Sequence, residues 1–484
     1  MVFPRLDEFC DLATRYPVVP VWDKVLADRD TPVSAYEKLV GQEPGFLLES
    51  VEGGERWARW SFLGWDPAFT LVADQGRVES DIEIPAGDPL EVLAAIVDRY
   101  RVPDLAGLPP LHSGLVGYLG YDCVRYVERL GDPPPDDRRL PEMIWHAVGA
   151  LAAFDRFDQT ITLVRNVFIG DDPATQYRQA VAALAGDAER LGRPLPYQVR
   201  SLPPLNPPAR VTSTLDEQDF VSAVLTAKDH IRRGDAYQIV LSQRLATPFE
   251  GDPFAVYRAL RVINPSPYLF LIHHPRVTVV GSSPELMTRV RDGVAFSRPI
   301  AGTRPRGATE ELDRLLEEEL LGDPKERAEH VMLIDLARND LGRVCDFGTV
   351  HVDDLMVIER YSHVMHIVSG VSGKVRPGIG PVDVLRATFP HGTVSGAPKV
   401  AAMKIIDQLE PVARGPYAGA VGYLDFSGNV DTAICLRTVV IGQGQAWVQA
   451  GAGIVTDSDP KAEFAETMNK AAAALAAVEM ASHV

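Results

Sequence analysis

Asp323-Pro-Lys-Glu326-Arg-Ala-Glu329 and Asp459-Pro-Lys-Ala-Glu463-Phe-Ala-Glu466 repeat one design at two distant places in the chain. In each, the aspartate can cap a helix and the proline suits the first helical position, where its missing N–H costs nothing. Two glutamates three residues apart then fall on one helix face. Apolar runs follow, Val331-Met-Leu-Ile-Asp-Leu in one case and Ala471-Ala-Ala-Ala-Leu in the other, so both helices have a face to bury. Two readings are open. The carboxylates can be solvated helix starts that favour the positive end of the dipole, with Glu326 in the place of a capping-box glutamate. Alternatively, the fold brings the two helices together and four carboxylates converge on one hard cation such as Mg²⁺, which takes a few carboxylates and fills its shell with water and substrate oxygens.

Bulk properties narrow the setting. A chain of 484 residues is too long for one ordinary core and predicts two large domains or subdomains. Apolar content of 46% and charged content of 24% are those of a soluble globular protein. A net charge of −18 argues against nucleic acid or an anionic membrane as partner, since both need a basic face. Cys10, Cys123, Cys345 and Cys435 form no C-x-x-C pair, which predicts reduced, structural thiols. The N-terminus has no charged-then-apolar leader and no apolar run reaches membrane-spanning length, so a cytoplasmic protein is expected.

The seam is Leu202-Pro-Pro-Leu-Asn-Pro-Pro-Ala-Arg210, which can continue neither a helix nor a central strand. It predicts an N-terminal domain over 1–210 and a second domain over 211–484, the latter opening with a helix after Thr212-Ser-Thr-Leu-Asp-Glu. Phe46-Leu-Leu-Glu-Ser50, Thr160-Ile-Thr-Leu-Val-Arg165, Tyr268-Leu-Phe-Leu-Ile272, Val277-Thr-Val-Val-Gly281 and Ala446-Trp-Val-Gln-Ala450 read as strands. Pro89-Leu-Glu-Val-Leu-Ala-Ala-Ile-Val97 reads as a helix. Regular βαβ spacing is missing, so the fold class is α+β, with mainly antiparallel sheets and helices packed outside. Gly114-Leu-Val-Gly-Tyr-Leu119 and Gly419-Ala-Val-Gly-Tyr-Leu424 share five of six residues. They mark either an old duplication or two similar strand-turn segments.

Three glycine-bearing turns join the glutamates: Pro299-Ile-Ala-Gly-Thr-Arg304, Phe389-Pro-His-Gly-Thr-Val-Ser-Gly-Ala-Pro-Lys399 and Gln449-Ala-Gly-Ala-Gly-Ile-Val455. None fits a P-loop or a dinucleotide-binding G-x-G-x-x-G. Together with Gly281-Ser-Ser-Pro-Glu-Leu-Met287, Glu329-His-Val-Met-Leu-Ile-Asp-Leu-Ala-Arg-Asn-Asp-Leu-Gly-Arg343, Val364-Met-His-Ile-Val-Ser369 and Glu463-Phe-Ala-Glu-Thr-Met-Asn-Lys470, and in this order, they resemble the chorismate-utilising enzymes. Within that family the chain is most similar to the large, synthase subunits of anthranilate synthases. The resemblance is dense over 215–484 and reaches the first half through Leu47-Leu-Glu-Ser50 and Arg59-Trp-Ser-Phe-Leu-Gly64.

The resemblance implies a regulatory N-terminal part, a catalytic C-terminal part and a set of roles. Mg²⁺ would sit on Glu329 and Glu466, supported through water by Glu326 and Glu463, and would receive the ring carboxylate of chorismate. Arg437, Tyr417 and the Gly453 amide would hold the enolpyruvyl carboxylate beside Gly451, with Thr393 and Lys470 as further anion contacts. A planar guanidinium suits a carboxylate as lysine does not. Ammonia would add at ring C2 while the C4 hydroxyl leaves, with Glu285 as the general acid. His366 would support the later loss of pyruvate that yields anthranilate. His391 adjoins the glycine turn but has no counterpart in the family pattern, and it receives no role.

The choice of member rests on two positions. Gln238 stands where relatives that use water as nucleophile have a lysine base; it cannot deprotonate water but can hold ammonia by a hydrogen bond. Ala301 stands where aminodeoxychorismate synthases, the alternative reading, have lysine. No cysteine sits on a tight glycine turn with a distant His-Glu pair, so ammonia is expected from a separate glutamine amidotransferase subunit in a hetero-oligomer. Finally, Glu49 and Ser50 with Asn264-Pro265-Ser-Pro-Tyr268-Leu269-Phe270 resemble the segments that bind L-tryptophan as feedback inhibitor in regulated members.

Overall fold

The computed structural model describes residues 1–26, 28–50, 59–196, 205–360 and 364–482. Leu202, Pro203 and Pro204 of the seam lie outside these residues. The described remainder of the seam is irregular, and the helix expected after it is Glu217–Arg232, capped by Asp216.

Among the described residues two large antiparallel sheets dominate, one of twelve strands and one of ten, with a third of three strands. Both large sheets take strands from either side of residue 210. In the first, Thr160–Phe168, Ala150–Asp155, Trp60–Trp65 and Gly45–Glu49 lie in that order. Next come Tyr268–His274, Val277–Ser283, Thr438–Gly442 and Gln445–Ile454. In the second, Leu286–Arg291, Val430–Ile434 and Ala420–Leu424 are followed by Leu115–Leu119, Met143–Ala147 and Thr70–Asp74. Residue 210 therefore divides the chain but not the packing, and the expected two separate cores are replaced by shared sheets. The reason is edge pairing: a strand left at a sheet edge presents a row of unpaired N–H and C=O groups, which the other half satisfies.

These orders also resolve the hexapeptide echo. Outward from the central pair of each sheet, the first-half strands follow the same succession as the second-half strands, as a duplicated unit would. The echo segments themselves pair antiparallel at the centre of the ten-stranded sheet, Leu115 opposite Leu424 and Leu119 opposite Ala420.

The two large sheets face each other across a core that includes Phe46, Phe62, Tyr118, Ile144, Phe270, Val421 and Trp447. Helices cover the outer faces, as expected of the α+β class. Pro460–Ala481 packs on the strand Gln445–Ile454 and on the helices Pro253–Ile263 and Glu217–Arg232. Pro324–Gly342 lies against Ile300–Pro305 of the small sheet and against the helix Pro381–Thr388. No helix of the described residues is long and apolar enough to cross a membrane.

Candidate functional site

Both D-P-K segments begin helices as their spacing requires. Asp323 accepts from the N–H of Lys325 and Glu326, and Asp459 from those of Lys461 and Ala462. Their first turns point into one cleft of about 590 Å³. Every catalytic, substrate and metal residue expected from the sequence lines it. Glu326, Glu329, Glu463 and Glu466 face Gln238, Glu285, His366, Thr393, Tyr417, Arg437, Gly451, Gly453 and Lys470 across this space.

The four glutamates are short of positive charge. Burial, with Glu326 and Glu466 facing it, pushes the Glu329 carboxyl above its ordinary range, although Gln238 Nε2 donates to Glu329 Oε1 at 3.0 Å. Burial and then Glu466 push Glu463 up in the same way. Lys470 Nζ stands 2.6 Å from Glu466, and Arg304 Nη1 3.5 Å from Glu326. Among the described residues no three His, Cys, Asp or Glu side chains are gathered into a preformed ligand set. The donor chemistry nevertheless fits a hard cation that takes a few carboxylates and keeps water, because such an ion removes the repulsion that the carboxylates now carry.

Opposite the glutamates stands the cationic end. Arg437 has φ +47°, a left-handed backbone that is costly for a residue with a Cβ and is tolerated where the surroundings over-determine it. Its guanidinium reaches the Asn264 side-chain oxygen at 3.3 Å, and its carbonyl accepts from the Ser282 N–H. A Cβ on Gly451 would stand 2.7 Å from the Tyr417 hydroxyl, and one on Gly453 2.7 Å from Gln238 Nε2. Gly451 is required by close approach, since a Cβ there would also stand 2.8 Å from the Leu241 carbonyl oxygen, whereas one on Gly453 would displace the end of the Gln238 side chain.

Glu285 is 7% exposed, and burial raises its carboxyl to about 8 against the lowering pull of Thr393, Lys470 and Arg437. It therefore carries a proton at neutral pH, as a general acid must. For His366, burial lowers the imidazole from its ordinary value, with Arg437 adding to the effect. Its Nδ1 lies 3.0 Å from both the Gly302 carbonyl and the Thr303 hydroxyl. A neutral ring fixed at one nitrogen is suited to moving a proton at the other.

Sequence reasoning missed what holds Tyr417. Arg414, 2% exposed, donates through Nε and Nη2 to Glu410 and through Nη1 and Nη2 to the carbonyls of Val394 and Val240. Glu410 in turn accepts from the N–H and hydroxyl of Ser242. The guanidinium lies 4.6 Å from the ring centre of Tyr121 and 5.6 Å from that of Tyr417. One ion pair thus ties Tyr417, the Thr393 turn and the strand carrying Gln238 together. The i,i+4 spacing of Glu410 and Arg414 was its only sequence signal, and most such pairs are exposed.

A second cavity, of about 160 Å³, lies between the sheets and is lined by Leu48, Ser50, Trp60, Phe62, Tyr268, Phe270, Tyr423 and Asp431, among others. The expected effector residues divide over it. Ser50 borders the cavity with a buried hydroxyl that has no partner among the described residues. Tyr268 hydrogen-bonds to both Arg289 and Asp431 at its wall. Strand alternation sends Glu49 and Leu269 the other way. Glu49 borders the cavity, but its carboxylate accepts from Tyr257 at 2.6 Å, Arg156 at 2.9 Å and Arg261 at 3.1 Å, so it is not open to a ligand amine. Leu269 also borders the cavity and joins the core beneath the outer helices. Asn264 and Pro265 lie in the turn before the strand, outside the cavity lining, and Asn264 contacts Arg437 instead.

Comparison with known proteins places this geometry. The chorismate binding enzyme family model matches residues 43–476. Anthranilate synthase component 1 of Acetivibrio thermocellus is 44% identical over 100% of both chains, and that of Mycolicibacterium smegmatis is 48% identical over 98% of this chain and 94% of its own. The crystal structure of anthranilate synthase component I from Streptococcus pneumoniae superimposes with a TM-score of 0.79 at 36% identity, covering 93% of this chain and 98% of that one. The menaquinone-specific isochorismate synthase of Escherichia coli shares the fold, with a TM-score of 0.70 at 20% identity and 98% coverage of both chains. The chain belongs to the chorismate-binding enzyme family, within its anthranilate synthase component 1 group.

Proposed function

We propose that the chain is the synthase subunit that converts chorismate and ammonia to anthranilate and pyruvate. The observation that carries this reading is one cleft in which the Glu285 carboxyl, raised by its burial, stands between a carboxylate-rich wall and a wall bearing Arg437 and Lys470. A dianionic ring substrate needs both walls, the second directly and the first through a cation. Mg²⁺ bound by Glu329 and Glu466, with Glu326 and Glu463 behind them, would supply charge neutralisation for the ring carboxylate. Arg437, Tyr417 and the Gly453 amide bind the enolpyruvyl carboxylate and fix the ring's orientation.

Gln238, held by Glu329, offers ammonia a hydrogen bond near the ring. As nitrogen bonds to C2, Glu285 passes its proton to the C4 hydroxyl, which departs as water. His366, neutral and held at Nδ1, serves the proton movement that accompanies loss of pyruvate and aromatisation. Ammonia comes from glutamine through a separate amidotransferase subunit. L-Tryptophan inhibits by occupying the cavity between the sheets. Nothing observed favours aminodeoxychorismate synthesis. Incubation with chorismate, Mg²⁺ and an ammonium salt tests the reading: fluorescent anthranilate is expected, and unchanged chorismate or an amino product without pyruvate release would refute it.

A further inference from the structure

The strand Gln238–Pro248 has a gap along one edge. On that side Gly396–Ala397 pairs with Ile239 and Gln238, and Thr212–Ser213 with Ala246 and Leu245. Between these two, among the described residues, no strand runs along the edge. Backbone groups left open there would be costly. Two buried side chains close the gap instead. Glu410 Oε1 accepts from the Ser242 N–H at 2.8 Å, and Arg414 Nη2 donates to the Val240 carbonyl at 2.7 Å. The pair is itself joined twice, Nε to Oε2 at 2.8 Å and Nη2 to Oε1 at 2.6 Å, and both side chains are almost wholly buried. An ion pair stands where a strand would.

Each anchor of that pair adjoins a cleft residue. Val240 lies two residues after Gln238 and opposite Gly453, and Val394, whose carbonyl takes Nη1 at 2.7 Å, follows Thr393. The guanidinium carbon stands over the Tyr417 ring, 5.6 Å from its centre, with only Gly415 and Pro416 between the two residues in the chain. We infer that Arg414 is a positioning residue: fixed by Glu410 and the two carbonyls, it holds Tyr417 in place for the second carboxylate of the substrate. This rests on the reading of Tyr417 as a ligand of that carboxylate. Lysine could not do the same. A planar fork of five donors can meet a carboxylate twice, reach two carbonyls and still offer a face to an aromatic ring, whereas an ammonium has three donors and no face. Burial raises the Tyr417 hydroxyl to about 12, with Arg414 pulling the other way, so it stays a hydrogen-bond donor over the working range.

A double-mutant cycle between Arg414→Lys and Tyr417→Phe separates positioning from mere packing. Arg414→Lys keeps a positive charge beside Glu410 but loses the fork. Tyr417→Phe alone removes one hydrogen bond to a charged group and should lower kcat/KM for chorismate about 10- to 100-fold. R414K alone should lose about tenfold or more, by releasing that same bond. Adding Tyr417→Phe to R414K should then cost no more than about twofold, because a hydroxyl already out of place has little left to lose. If Arg414 served only the stability of the core, Tyr417→Phe would cost the same in both backgrounds, and that result would overturn the inference. Should R414K not fold, Glu410→Gln, which loosens the same clamp from its other end, enters the cycle in its place with the same two outcomes. Tyr417→Phe with wild-type kcat/KM would remove the substrate role of Tyr417 and the inference with it, whereas a full Tyr417→Phe loss that persists beside R414K removes only the role of Arg414.

Discussion

Ser50 gives the sharpest test of the cavity between the sheets. Its hydroxyl is buried, borders the cavity and has no partner among the described residues, so a bound ligand with an indole N–H or an ammonium group would satisfy it. A single neutral hydrogen bond contributes about 0.5–1.5 kcal/mol net. Ser50→Ala should therefore raise the inhibition constant for tryptophan about 2- to 13-fold. It should leave the uninhibited rate unchanged, because the cleft residues are elsewhere. Ser50→Phe acts by volume. The cavity measures about 160 Å³, and a cavity of about 150 Å³ is enough to take benzene. The introduced phenyl ring should fill the space and abolish inhibition. The assay is the initial rate of anthranilate fluorescence at fixed ammonium and graded tryptophan. Unaltered sensitivity in both variants would place the effector elsewhere, and an insensitive wild type would end the hypothesis.

The remaining expectations concern the cleft. Glu329→Gln or Glu466→Gln should abolish turnover with the circular dichroism spectrum unchanged, and full wild-type activity in excess chelator would refute the metal reading. His366→Ala should lose about 10²–10⁴ in rate and accumulate an amino intermediate on chromatography; a wild-type yield of anthranilate would clear His366 of a role. The isolated chain should use ammonium salts but not glutamine, checked by anthranilate formation with each nitrogen source, since no cysteine lines the cleft. Activity should decline as pH rises through about 8, where Glu285 loses its proton. Because that folded value is raised above the unfolded one, the contribution of Glu285 to stability is complete below the ordinary carboxyl range and is lost on the same rise. A kcat/KM profile flat to well above 8 would contradict this.

The catalytic cleft was legible because its residues sit in short local patterns. Asp323 and Asp459 announce helix starts by capping chemistry, and the glutamates that follow inherit their direction from helical spacing. Strand positions were equally readable from apolar alternation, as at Phe46 and Tyr268. Partnership between strands was not. Nothing local in Leu115–Leu119 says that it pairs with Ala420–Leu424, so two cores were expected where one sandwich forms. The effector segment was legible only as a strand. Leu-Leu-Glu-Ser gave the right strand, but the face of each side chain depends on which sheet surface is inward, and Glu49 proved to face Tyr257 and Arg261. Arg414 was missed because its meaning lies in neighbours distant along the chain, the Val240 and Val394 carbonyls among them.

The shared sheets make the two halves a single inheritance. If the chain was cut at the Pro-rich seam, Tyr268–His274 would lose Gly45–Glu49 and Ala420–Leu424 would lose Leu115–Leu119. The second half holds every cleft residue, yet alone it would expose two long open edges and invite assembly with other copies of itself. The Tyr417 loop would lose its supports too: Gly415 N–H donates to Asp122, and its carbonyl accepts from the Tyr121 N–H. A duplication that began as two like units has thus become irreversible. One half holds every cleft residue, and the other supplies the strands and loop contacts that hold them in place.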